Sequence, residues 1–475
     1  MTDSSWSLPS VEGASHMFEQ KTYGTIDDVE ELTIAEPKVR FSTISTKRTL
    51  KDRKERLNSV EKGLGVLEAS FSYIKGSLSS GYVTIPLSFA ILGLIPSIIV
   101  GILIALANYY MMIQLDTIAS DINTRDCNYT KLVKRVLGSN FSFAAKILQF
   151  LYCFGAALAE LVFTISFIAG ISCLFEWDSV CQSSNLQYAI VLFVITPLVT
   201  ITKMYQLSYA SLIATTIQIG FYIFIIFYLF ADLGSSNFTK QQFSAAITSS
   251  NTYTVFQVFG VLMYTISNAT NPLQVRKSLS KVTDFPKVLK IGCITTAVVG
   301  ILLGCVGPFL NQTRKLNEII LMELPTSSSF ILSTELLFVI SITVNFLVFG
   351  FGVFEPLEQI SQVRELILSE ENKDIQFLKK YLLRMFFVCI IFILSVAIPN
   401  LTNLVSLVGS LNAGLLILVF PALMVLKHHR GSNNKRTTRF IAYFVLLVGI
   451  CFTAAGTITN IQKMVSLEIE LETVN

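Results

Sequence analysis

Apolar residues dominate eleven stretches of the chain, near residues 66–92, 95–115, 144–174, 186–202, 207–233, 253–273, 288–310, 329–354, 378–398, 401–426 and 439–461. A helix rises about 1.5 Å per residue and the hydrocarbon core is roughly 30 Å thick, so each stretch predicts a membrane-crossing helix. The expectation is an all-α membrane protein with eleven transmembrane helices in one domain over residues 66–461. Residues 1–65 are polar, with an acidic cluster at Asp27–Glu31 and a basic one at Lys47–Arg56. They lack the apolar core of a signal peptide and predict a disordered cytosolic tail. Residues 462–475 predict a short extracytosolic tail.

Two of the stretches carry polar interruptions. In the first these are Ser77, Ser79, Ser80 and Gly81; in the sixth they are Thr265, Ser267, Asn268, Thr270 and Asn271. A helix that stops and restarts inside the bilayer leaves backbone N–H and C=O groups that lipid cannot satisfy, so such breaks line cavities. An interrupted first and sixth helix is the spacing of a five-plus-five inverted-repeat transporter fold, in which half-helix ends meet the substrate at mid-depth. The expected chemistry suits a zwitterion. N–H groups at Ser79, Ser80 and Gly81 would hold a carboxylate beside Ser77, and oxygens near Thr265, Ser267 and Asn268 would accept from an ammonium group. Singly, either cluster reads equally well as Ser and Thr back-bonding within an intact helix.

Composition agrees with lipid as the main solvent: 52% of the 475 residues are hydrophobic and only 14% charged, with a mean hydropathy of +0.61. Such a chain is not a soluble enzyme, whose charged share is about 25%. Its net charge of +4 carries no nucleic-acid footprint. Charge also orients the helices. With the N-terminus inside, the inner loops hold 21 Lys and Arg residues and the outer loops and C-terminal tail four, which is the bias expected of cytosolic loops.

Sequons at Asn237 and Asn311 then fall outside, open to glycosylation, whereas one at Asn128 falls inside and the one at Asn400 sits in too short a loop. Cys173 and Cys181 flank one outer loop within reach of a disulfide, with free thiols as the expected state. No metal-ligand spacing occurs, and His16, His428 and His429 all lie outside the hydrocarbon.

The segment Lys75-Gly76-Ser77-Leu78-Ser79-Ser80-Gly81-Tyr82-Val83-Thr84-Ile85-Pro86 resembles the first-helix motif of the amino acid/auxin permease family, nearest its proton-coupled amino acid transporter branch. Further similar patches follow in order: Asp284-Phe285-Pro286-Lys287-Val288-Leu289, Ile398-Pro399-Asn400, Ser406-Leu407-Val408-Gly409-Ser410 and Phe420-Pro421-Ala422-Leu423. The resemblance implies a secondary amino acid transporter with the inverted-repeat fold, driven by protons or sodium and needing no other cofactor. This chain departs from the family pattern in three places. Ser79 replaces the first motif glycine, Ile266-Ser267-Asn268 stands where the family has Phe-Glu-Gly, and Met111-Met112-Ile113 occupies the region of the branch's coupling histidine.

Charge at mid-membrane is costly and therefore a functional suspect. Glu160, in the middle of the third stretch, is a carboxyl that sheds its charge by taking a proton, and is the first candidate for coupling. Its structural alternative is a carboxyl that only packs against a neighbouring helix. Glu335, nearer the outer end of the eighth helix, is expected to reach toward water. Ser341 and Asn345, one turn apart on that helix, are candidates to help hold sodium, or to hydrogen-bond between helices. Lys75 is expected to snorkel to the interface. Tyr152 and Tyr264 are candidates to stack on a substrate.

Lys131, Lys134 and Arg135 in the amphipathic stretch 129–137 suit contact with anionic membrane lipid. Tyr23-Gly24-Thr25-Ile26 fits a tyrosine sorting signal of plasma or endolysosomal/vacuolar membranes. The whole reads as an integral transporter of small neutral amino acids, neutral because no second strong charge lies near the breaks. Its alternatives are a sodium-coupled symporter and a sensor that binds an amino acid without moving it.

Overall fold

A computed structural model of the chain describes residues 64–122, 128–174, 180, 183–199, 204–234, 240–247, 254–267, 272–313, 316–324, 329–358, 360–369, 372–397, 400–430 and 435–474. The tail and its sorting pattern fall outside these ranges. The described part is helical: α1 Val66–Lys75, α2 Ile85–Leu92, α3 Leu94–Asp121, α4 Tyr129–Val136, α5 Ser139–Leu174, α6 Ser184–Val199, α7 Met204–Gly234, α8 Lys240–Ile247, α9 Thr254–Ile266, α10 Pro272–Ser278, α11 Phe285–Thr313, α12 Ser329–Glu358, α13 Ser361–Leu368, α14 Lys373–Ala397, α15 Leu401–His428 and α16 Arg436–Val474.

Among the described residues eight helices are long and apolar enough to cross a membrane: α3, α5, α7, α11, α12, α14, α15 and α16. Three further apolar helices are shorter: Ser80–Leu92, Leu186–Pro197 and Thr254–Ile266. Two of these belong to the interrupted stretches, where a break has divided the run. The last helix continues to Val474, through the residues expected to form a tail after 461.

Burial separates two kinds of helix. In α15 83% of the apolar window is buried, against 22% in α14 and α16, so α15 runs through the centre and the other two face outward. Exposed Phe386, Ile393, Phe440 and Leu447 on α14 and α16 are what a lipid-facing surface requires. Around α15 the broken helices are packed by α5, α11 and α12. The contacts are close because glycines permit them: Gly307 lies against the backbone of Pro86, Gly260 against that of Ser406, and Gly292 against the ring of Tyr73.

In its middle α15 widens to π-helical turns over Gly409–Ala413 and Leu415–Val419. Such turns displace backbone carbonyls from their usual partners, and here the Leu416 carbonyl accepts a 2.6 Å hydrogen bond from Tyr129 Oη. That bond docks α4, whose Tyr129, Leu132, Val133 and Val136 are buried while Lys131, Lys134 and Arg135 stay exposed.

The helix ends bearing most of the basic residues are tied together. Arg276 makes a buried 2.6 Å ion pair with Asp116 and also donates to Ser120. Arg384 pairs with Glu358 at 2.7 Å and lies over the Phe351 and Phe354 rings. Leu64 exchanges backbone hydrogen bonds with Ser278 and Ser280, joining the start of α1 to the segment after α10.

Candidate functional site

The first stretch stops as a helix at Lys75 and restarts as a 3-10 turn at Ser80–Thr84, which leads into α2 with Pro86 in its first turn. Between them Gly76, Ser77 and Leu78 still donate their N–H groups to the carbonyls of Tyr73 and Ile74, and the regular helix is lost by Ser79, whose backbone is extended. The sixth stretch stops at Ile266 and resumes at Pro272, and Asn268, Thr270 and Asn271 lie outside the described residues. The two interruptions meet. A Cβ built on Gly81 would stand 2.6 Å from the ring of Tyr264 and 2.9 Å from Thr265 Cγ2, so only glycine allows this approach.

Of the N–H groups expected to be bare at the first break, that of Ser80 is occupied, and two carbonyls of the break have side-chain partners as well. Ser80 N–H donates to both carboxylate oxygens of Glu160, at 3.1 and 3.2 Å. The Ser79 carbonyl accepts from Tyr222 Oη at 3.0 Å, and the Leu78 carbonyl accepts from Asn345 Nδ2 at 3.0 Å. Helices α5, α7 and α12 thus each send one polar side chain into the break, because a buried backbone group without a partner costs about 1–3 kcal/mol. At the second break the Ile266 carbonyl accepts from Thr296 Oγ1, while Tyr82 Oη donates to the Thr296 carbonyl.

Side chains around the breaks are sealed from solvent. Glu160, Ser80 and Thr265 have no exposed surface, and Ser77 and Ser79 have 1%. The hydroxyls of Ser77, Ser79, Ser80 and Tyr264 complete no hydrogen bond; that of Tyr264 faces Ser79, and that of Ser80 faces Glu160. Four buried aromatic rings enclose them in two pairs, Tyr152 with Tyr264 at 5.8 Å and Tyr82 with Tyr222 at 5.3 Å between centroids. Unpartnered polar atoms clustered within an aromatic wall are what a site for a small polar ligand provides.

Thr265 and Ser267 bond back to the carbonyls of Val261 and Met263, so their hydroxyls serve their own helix. Ser341 does the same with Phe338, and of that pair Asn345 reaches the first break, where it donates to the Leu78 carbonyl. Glu335 does not reach water: it is 2% exposed, with one carboxylate oxygen unpartnered. Lys75 is half-buried in the last turn of α1. Asn311 is exposed in the last turn of α11, and Asn237 lies outside the described residues. Cys173 is disulfide-bonded and not a free thiol, the state that an oxidising compartment favours, while Cys181 lies outside the described residues. Among the described residues no group of His, Cys, Asp and Glu could hold a metal ion.

Sequence reasoning missed Tyr222, Tyr82 and Thr296. Tyr82 carried a signal, since it follows Gly81 directly within the break. Tyr222 and Thr296 sit in the middle of apolar helices, where nothing in the local pattern distinguishes them.

The two ends of the molecule differ around this centre. At the basic end a cavity of about 540 Å³ is lined by Lys146, Gln149, Cys153, Gln274, Gly352 and Glu355, among others. Cys153 lies two turns of α5 below Glu160, roughly 10 Å. At the opposite end the segment after α11 folds inward, with Leu316, Ile319, Ile320, Leu321 and Leu324 buried. Its 3-10 turn Ile320–Glu323 touches the Ser80–Thr84 turn directly. Glu318 in this segment accepts from Asn400 Nδ2 and faces the first backbone N–H groups of α15, at Leu401 and Thr402. A carboxylate at a helix N-terminus is well placed against the helix dipole.

The sequence profile of the family described as "Transmembrane amino acid transporter protein" matches residues 62–466. The chain is 19% identical over 441 residues to amino acid transporter AVT6C of Arabidopsis thaliana, covering 89% of this chain and 99% of the relative. It is 23% identical over 291 residues to vacuolar amino acid transporter 3 of Schizosaccharomyces pombe, covering 60% of this chain and 42% of that protein. Two solved structures are similar to it. A Na+-coupled sialic acid symporter in a substrate-bound, outward-open state is 12% identical, covers 84% of this chain and 89% of its own, and gives a TM-score of 0.48. A manganese transporter of Eremococcus coleocola is 10% identical, covers 90% and 89%, and gives a TM-score of 0.49.

Proposed function

The chain belongs to the transmembrane amino acid transporter family, and from that premise we propose that it carries small neutral amino acids across a membrane by alternating access, driven by protons. The observation that carries this reading is the contact of Gly81 with Tyr264 and Thr265, which brings two interrupted helices together around unpartnered buried hydroxyls. In the proposed architecture eleven crossings form a five-plus-five inverted repeat over residues 66–461, and the substrate sits between the breaks. Its carboxylate meets the amide end at Ser79, Ser80 and Gly81, with Ser77 beside it, and its ammonium group meets oxygens near Thr265, Ser267 and Asn268.

Alternating access is supported by the asymmetry of the two ends, one sealed by the inward-folded segment around Ile320 and the other hollowed to Cys153. In this reading the basic end is cytosolic, the N-terminus lies on that side, and Asn237 and Asn311 face the opposite compartment as glycosylation sites. Protons are favoured over sodium because Glu160 is a buried carboxyl at the break. The vacuolar relative supports an endolysosomal or vacuolar membrane over the plasma membrane.

Uptake of labelled amino acids into proteoliposomes, with and without a pH gradient, tests the proposal. Accumulation that requires the gradient is the expected result. Binding without accumulation would identify a sensor, and accumulation dependent on sodium would overturn proton coupling.

A further inference from the structure

The helix that begins at Ser80 and runs to Leu92 points its N-terminus, with the free amides and positive dipole end that go with it, into the sealed centre. That end already holds a carboxylate. Glu160 presents both oxygens to the Ser80 N–H within 0.1 Å of equal distance, 3.1 against 3.2 Å. Around it stand the buried hydroxyls of Ser79 and Tyr264, which complete no hydrogen bond, and that of Ser80, which faces the carboxylate. The titratable groups that face Glu160 are Tyr152 on its own helix, Tyr222 on α7 and Tyr264 on α9. No charged side chain faces it among the described residues.

A carboxylate on a helix N-terminus in a polar pocket is also how an amino acid substrate would dock there. We propose that Glu160 is an internal stand-in for the substrate's carboxylate, occupying the Ser80 N–H until a proton on Glu160 releases it. This deepens the transport reading and rests on it. Two carboxylates cannot share one buried amide, since like charges at this separation repel strongly where no cation or water screens them. A proton taken from solution neutralises Glu160, which lets go of the N–H. The substrate carboxylate then takes the amide, and the neutral carboxyl becomes an O–H donor to it. When the substrate leaves, the proton leaves with it and Glu160 closes the break again. Empty transporter is thereby kept from exposing bare peptide groups in the bilayer. The arrangement couples one proton to one carboxylate by competition for a donor, without a second ion site.

Equilibrium binding of a panel of small neutral L-amino acids and their matching amino amides to the purified full chain, between pH 5 and pH 7.5, tests this. For the amino acids, affinity is expected to weaken by about tenfold per pH unit on the alkaline side of the Glu160 titration, as one linked proton requires. The amino amides, which bring no carboxylate, are expected to show a flat profile. Glu160→Gln is expected to bind the amino acids at the tight acid-limit affinity across the whole range. An unchanged pH slope in Glu160→Gln, or equal slopes for acids and amides, overturns the stand-in. The comparison of acids with amides needs no variant, so it decides even where Glu160→Gln fails to fold. A flat amino acid profile in the natural chain overturns the stand-in while leaving transport intact. Absence of binding at every pH removes the transport reading itself.

Discussion

Gly81 lies so close to Tyr264 that a Cβ on it would come within 2.6 Å of the ring, which is nearer than real side-chain contacts occur. The relation is one of backbone against aromatic face, and it fixes the spacing of the two breaks. Gly81→Ala is therefore expected to push the breaks apart and cut uptake at least tenfold. Combining it with Tyr264→Leu, which vacates the contacted ring atoms, should restore part of the loss. Uptake that survives Gly81→Ala unchanged would mean that the contact does not set the site.

Tyr222 supplies the O–H that satisfies the Ser79 carbonyl. Tyr222→Phe leaves that carbonyl buried without a partner, at an expected cost of about 1–3 kcal/mol. Thermal unfolding in detergent should show a fall of several degrees, and a variant as stable as the parent would show that another group can replace the bond.

Glu318 holds the inward-folded segment to the start of α15. Glu318→Ala is expected to loosen that closure. The measurement is labelling of an Ile320→Cys probe by a membrane-impermeant thiol reagent, slow with Glu318 present and at least several-fold faster without it. Equal rates would assign the closure to the buried apolar residues alone.

Cys153 lines the cavity at the basic end, and its Sγ would lie 2.5 Å from a Cβ on Gly352. A small thiol reagent applied to the basic face is expected to block uptake in the parent protein and not in Cys153→Ser. Block from the opposite face only would reverse the proposed orientation.

Burial, with His428, Lys435 and Arg439 nearby, holds the His429 imidazole below the ordinary histidine range, and Asp121 opposes this only in part. A base whose folded value is depressed is neutral in the fold, so its contribution is complete above the usual histidine range. It is lost as pH falls below that range, where the unfolded chain takes up the proton. The melting temperature is expected to drop between pH 7.5 and pH 5.5, and to drop less in His429→Gln. Equal drops would place the acid sensitivity elsewhere.

Much of this was legible in the sequence, for identifiable reasons. Each apolar stretch became a helix or a pair of helices because backbone hydrogen bonding in lipid leaves few alternatives. The first break was visible because Ser77, Ser79, Ser80 and Gly81 interrupt an apolar run within five residues. Glu160 stood out by its charge. What it touches did not, since a contact between residues 80 positions apart leaves no spacing to read. The same holds for Tyr222 and Asn345, which donate to the Ser79 and Leu78 carbonyls of the break. The closing segment around Ile320 was hidden because its apolar run is too short to suggest a membrane helix. The bond from Tyr129 to the widened turns of α15 was equally hidden, since it joins residues far apart in the chain.

The central claim is that an amino acid binds between the two facing breaks. An experimental structure of the purified protein with a saturating small neutral amino acid at acidic pH tests it most directly. The account predicts ligand density between Ser77–Gly81 and Tyr264–Ser267, its carboxylate on the Ser80 N–H and Glu160 turned away. Density in another cavity, or a Glu160 still bound to Ser80 beside the ligand, would contradict it.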